Sequence, residues 1–140
     1  MHMAKHEFGI MTDDPRPGKR YDKYEPWKYA CISVDDNCLK GVGERLNSMD
    51  SYWHTLSVKG KGLAYCGITL LPPCSLKIFI DTISDNSELC ELRKLLEKAL
   101  DQNKWIIHYG LRLKGNFRFA AEHRRRKNPS FLEIWELHLV

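Results

Sequence analysis

Cysteine and histidine are the residues of this chain most able to do chemistry. Cys66 stands in Ala64-Tyr65-Cys66-Gly67, with His54 upstream and Lys59-Gly60-Lys61-Gly62 between them. Read as a hairpin turn, that tetrapeptide pairs 58 with 63 and sets 54 opposite 67, one position from the thiol. A neighbouring imidazole converts a thiol into a nucleophilic thiolate, provided a third group orients the ring. Asp50 or Asp81 supplies such a carboxylate, and His108 is a second imidazole, so a thiol enzyme would use Cys66, His54 and His108. The plainer reading is that Cys66 is a small buried hydrophobe, because adjacent positions on paired strands need not share a face. No catalytic residue is assigned on this basis.

Cys66, Cys74, His54 and His108 are also zinc-ligand types. Their spacing matches neither a finger nor a metalloprotease, and His108 sits in an apolar run where a hydrogen-bonded core histidine is the commoner outcome. No metal and no cofactor are therefore expected. Gly41-Val42-Gly43 and Gly60-Lys61-Gly62 fit no phosphate-binding pattern.

Charge points elsewhere. Residues 1–110 carry 15 basic and 15 acidic side chains, so the net +4 comes entirely from 111–140, where seven basic residues face three acidic ones. Within that stretch Arg124, Arg125, Arg126 and Lys127 form a dense cluster near Phe117, Arg118 and Phe119. Arginines beside exposed aromatics can neutralise phosphates and stack on single-stranded bases. A solvated loop is the simpler reading, and weak non-specific nucleic-acid binding is the most it implies. A second mixture of cations and aromatics lies in Arg16, Lys19, Arg20, Tyr21, Lys23 and Tyr24. Such an arm orders on a partner or frays.

The elements that must position these groups follow from periodicity. Residues 1–26 read as a flexible N-terminal arm broken by Pro15, Pro17 and Gly18, 27–110 as a compact core, and 111–140 as a basic C-terminal extension, a hairpin packed on that core. Within the core, 29–34 reads as a strand. Asp35, Asp36 and Asn37 offer a cap for a helix carrying Leu39, Val42, Leu46 and Met49. Strands follow at 52–58 and 63–71. A helix capped by Ser75 carries Leu76, Phe79, Ile80 and Ile83, and a second over 88–101 carries Leu89, Leu92, Leu96 and Ala99. Residues 105–109 close the core as a buried strand. This order predicts a single small α/β or α+β domain: a mixed sheet flanked by about three helices, βα-ββ-αα-β, with the C-terminal β-hairpin beside it.

Five cysteines at 31, 38, 66, 74 and 90 are an odd set without a CxxC pair, which reads as reduced thiols. No apolar run approaches the roughly 20 residues that span a bilayer, so a cytoplasmic protein without a membrane partner is expected. A chain of this size without a converging catalytic set reads as a non-catalytic binding or regulatory protein, inhibitor or immunity-type, whose partner is another protein. The alternative is a nucleic-acid-binding accessory protein using the basic segment, and the third reading is a thiol-dependent enzyme.

Overall fold

A computed structural model describes residues 5–110. In chain order they form β1 (Lys5–Ile10), β2 (Ile32–Asp35), α1 (Asp36–Leu39), β3 (Asp50–Trp53), β4 (Lys59–Lys61), β5 (Ile68–Leu71), α2 (Pro73–Ile83), α3 (Cys90–Asp101) and β6 (Ile106–Tyr109). The strands make one sheet in the order β2-β1-β6-β5-β3-β4. Every pairing is antiparallel, with Phe8 opposite His108, Thr69 opposite His108, and Trp53 opposite Thr69. The domain is therefore α+β, and the expected mixed sheet is antiparallel throughout.

Side-chain alternation gives the sheet two buried faces. One carries Phe8, Leu71 and Ile106 against Leu76, Phe79 and Ile83 of α2 and Leu92, Leu96 and Ala99 of α3. These are the stripes read from the sequence, and they fix both helices by burial rather than by propensity. The other face carries Ile68, Leu70, Ile107 and Tyr109. Among the described residues no α-helix covers it; Met11 and the half-buried Tyr21, Tyr24, Tyr29 and Cys31 do.

That second layer corrects the N-terminal reading. Residues 5–10 are a strand in the sheet interior, between β2 and β6, and the following arm is docked on the sheet. Gly9 makes the docking possible. A Cβ there would lie 2.7 Å from the Cys31 Sγ and 2.8 Å from the Tyr29 carbonyl oxygen, so only glycine lets the returning arm cross β1.

Two further expectations change. The helix through Leu39–Met49 is only α1 plus a single 3-10 turn at Gly43–Leu46, because Gly41 takes φ 81° and breaks it. Leu39, Val42, Leu46 and Met49 are nevertheless buried. Lys59–Lys61 is an edge strand on β3 rather than a turn, and β3 stops at Trp53, where His54 turns to φ 65°. Charged Lys59 and Lys61 suit an edge, since they discourage pairing with another chain. The C-terminal extension, where a hairpin is expected, lies with its Arg124–Lys127 cluster outside the described residues.

Candidate functional site

The polar chemistry of the described residues collects at two buried histidine constellations and on the exposed surface of the arm.

The first constellation begins at His54. Its Nδ1 lies 2.7 Å from Asp22 Oδ1, and its Nε2 accepts the Ile68 N–H at 3.1 Å. Because Nε2 accepts, the ring proton sits on Nδ1 and is donated to Asp22. The Tyr21 N–H also donates to the His54 carbonyl at 2.7 Å. His54 thus ties the arm to β5. The carboxylate orienting it is Asp22, whereas Asp81 pairs with Lys77 and Asp50 with Lys61.

The second constellation is a chain of four side chains on the helix-side face, at the end of the sheet where β6 finishes. Asp36 Oδ1 lies 2.9 Å from His6 Nε2. His6 Nδ1 lies 2.9 Å from His108 Nε2, and His108 Nδ1 lies 3.1 Å from Thr69 Oγ1. Thr69 Oγ1 accepts the Ala64 N–H at 2.9 Å, and the Tyr65 hydroxyl donates to Asp36 Oδ2 at 3.2 Å. The two imidazoles stack with centroids 5.1 Å apart and planes 16° apart. His6, Thr69 and His108 are buried, while Tyr65 is about half exposed. Registry explains the convergence. His6 and Phe8 share a face of β1, Phe8 faces His108, and His108 faces Thr69.

Burial sets the titration of this chain. It holds His6 below the usual histidine range, with Asp36 opposing the shift through its hydrogen bond and its charge. It holds His108 well below that range, and His6 adds to the effect. Burial, then Asp36, raises the Tyr65 hydroxyl. Both histidines are therefore neutral at neutral pH.

The three residues proposed for thiol chemistry divide between these environments. His54 serves Asp22 and the Ile68 amide, and His108 belongs to the Asp36–His6–Thr69 chain on the opposite face from the cluster holding Cys66. Burial and then the Asp36 charge push the Cys66 thiol up to about 12, which disfavours a thiolate at neutral pH. Cys74 lies exposed on α2. Among the described residues no group of three or more histidine, cysteine or acidic side chains is placed to hold a metal ion.

The arm presents the third feature. Pro26–Tyr29 form a 3-10 turn closed by Ala30 at φ 50°. Trp27 on that turn is 74% exposed, the largest exposure of any large hydrophobic described. Its ring meets Tyr24 edge-on at 6.5 Å, and Tyr24 in turn packs edge-on to Tyr109 at 5.2 Å and donates its hydroxyl to Glu7. No family model, curated protein or solved structure matches this chain.

Read from the sequence, His6, Thr69 and Tyr65 have no assigned role and Asp36 has only that of a helix cap. One signal pointed to them: a histidine inside an apolar strand must find hydrogen-bond partners on its neighbours.

Proposed function

We propose that this is a non-catalytic binding protein, inhibitor or immunity-type, that recognises another protein through the arm surface centred on Trp27. The observation that carries the reading is the solvent exposure of a tryptophan on a segment already held in place. Tryptophan and tyrosine dominate the energetic centres of protein interfaces. Here the arm is fixed by the His54–Asp22 and Tyr24–Glu7 hydrogen bonds, so little ordering entropy remains to oppose association. Lys23, Glu25 and Lys28 stand within four residues of Trp27 in the chain, the polar surroundings that an interface anchor needs. Between residues 16 and 29 five basic side chains stand against two acidic ones, which suits a partner face of acidic character.

The histidines support a binding role from the other side. Each ring nitrogen of His6, His54 and His108 has a hydrogen-bond partner within the domain, so the imidazoles act as structural members rather than as free bases.

A photo-reactive side chain placed at position 27, in cells that make the protein, tests the proposal. The expected result is a discrete protein adduct that is absent when the probe sits at exposed Lys98. Crosslinks to nucleic acid at position 27 would instead make nucleic acid the partner of this surface and overturn the proposal.

A further inference from the structure

The buried Asp36–His6–His108–Thr69 chain has one feature that a merely satisfied polar network lacks: its hydrogen bonds all run one way. Asp36 accepts at both oxygens, so His6 donates from Nε2 and its Nδ1 is bare. His108 must then donate from Nε2, and its bare Nδ1 accepts the Thr69 hydroxyl hydrogen. Thr69 Oγ1 in turn takes the Ala64 N–H. Every donor has an acceptor, and both rings are Nε2–H tautomers.

We propose that this chain is an acid-operated latch, in which a proton taken up by His6 breaks the His6–His108 bond and releases α1 and the Tyr65 loop from the end of the sheet. The added proton has only His6 Nδ1 to occupy, and there it meets the His108 Nε2–H across 2.9 Å. Two N–H groups face each other at a distance that suited one. His108 escapes the conflict only by moving its own proton to Nδ1. That would set a second N–H against Thr69 Oγ1 and displace the hydroxyl hydrogen from its acceptor. His108 is completely buried in a central strand and cannot turn to water, whereas His6 is the second described residue of β1 and can leave with the strand's end.

The surroundings offer His6 one compensating charge. Asp36 of α1 faces it, and the Tyr65 ring meets it edge-on at 6.1 Å. His108 of β6 faces it with no capacity for a second positive charge, and Val34 of β2 opposite it is apolar. Phe8 and Phe79 close the space beyond His108. Lys5 and Asp35 lie opposite one another at the adjacent pair of β1 and β2, and both are exposed. Cys66, whose thiol is pushed up to about 12, stays uncharged.

The direction with pH follows. His6 and His108 titrate below 6.5 in the fold and at ordinary values once released. The latched state therefore binds fewer protons and is fully favoured above pH 6.5. It loses ground as pH falls below that value, by up to about tenfold per pH unit for each proton withheld.

Histidine-resolved NMR of the full chain between pH 8 and 5 tests the latch. At pH 7.5 both His6 and His108 should be neutral Nε2–H tautomers. As His6 protonates, the amides of 36–39 and 63–67 should shift together while those of α2 and α3 hold. His108→Gln replaces the imidazole with an amide that can donate or accept, so it should abolish the coordinated step or move it down by at least about one pH unit. An Nδ1–H tautomer or an imidazolium at His6 at pH 7.5, or amides at 63–67 unmoved at pH 5, would overturn the proposal. So would a coordinated step unchanged in His108→Gln. Should that variant not fold, the wild-type tautomers and amide shifts decide the matter alone.

Discussion

Replacing Gly9 by alanine adds one methyl group at the place where the arm crosses the sheet. Gly9 is not among the glycines at positive φ, so alanine meets no backbone penalty and the effect is purely steric. The new Cβ would lie 2.7 Å from the Tyr29 Cβ, 2.7 Å from the Cys31 Sγ and 2.8 Å from the Tyr29 oxygen. The Cys31 thiol can rotate away, but the Tyr29 backbone cannot move without lifting the turn that carries Trp27. Overpacking of this kind costs about 1–3 kcal/mol. Because the arm is held by a few hydrogen bonds and its packed tyrosines while the helices rest on the opposite face, most of that cost should appear as local opening. Limited trypsin digestion reads it at Lys19, Arg20, Lys23 and Lys28, where cleavage should accelerate about 5- to 150-fold, matching that free-energy range. Far-UV circular dichroism should show the sheet and helices retained. Digestion at those four sites no faster than in the wild type would refute the docked arm, and with it the physical basis for a pre-ordered Trp27.

Three further outcomes follow from the same architecture. Leu96 is fully buried between α3 and the sheet, so Leu96→Ala should cost about 2–5 kcal/mol in urea unfolding, and a loss below about 1 kcal/mol would mean that the stripe is not core. All five cysteines are free and should titrate in denaturant without reductant; under native conditions exposed Cys74 should react first, ahead of half-buried Cys90, and Cys31 and Cys66, each pushed up to about 12, should react slowly. Changing Arg124, Arg125 and Arg126 together to alanine should reduce any oligonucleotide affinity and its salt dependence, measured by fluorescence anisotropy, because residues 1–110 carry no net charge.

Much of the fold was legible because burial leaves a period. Leu92, Leu96 and Ala99 repeat on one face of α3, with buried Leu89 just before it, and Ile106–Tyr109 is a short buried run, so both elements stand where the sequence puts them. β1 was not legible. It is six residues long, carries a glycine, and runs straight into a proline-rich stretch, so local pattern favoured an arm; what makes it a strand is two flanking neighbours contributed by distant residues. The same blind spot hid the histidine chain. Asp36 was read as a possible helix cap, yet its carboxylate reaches His6 on β1, a contact fixed only by the β1–β2 pairing. The expected pairing of 54 with 67 stands one position from the register that Trp53 and Thr69 set, but His54 and Cys66 lie just outside β3 and β5. Register alone, however, did not reveal that His54 is engaged by Asp22 of the arm. Trp27 was visible as the start of order, but its exposure depends on which face of the sheet the arm covers, and no local pattern encodes that.

The proposed role rests on Trp27 as the anchor of a protein interface, and the most direct measurement is the affinity of Trp27→Ala for the protein crosslinked at that position. The side chain is exposed in the free domain, so the variant should melt as the wild type does. Isothermal titration should then show binding weakened by at least about 30-fold, corresponding to the 2 kcal/mol or more that marks an interface hot spot. A variant that folds normally and binds its partner with unchanged affinity would contradict the account and remove the arm from the recognition surface.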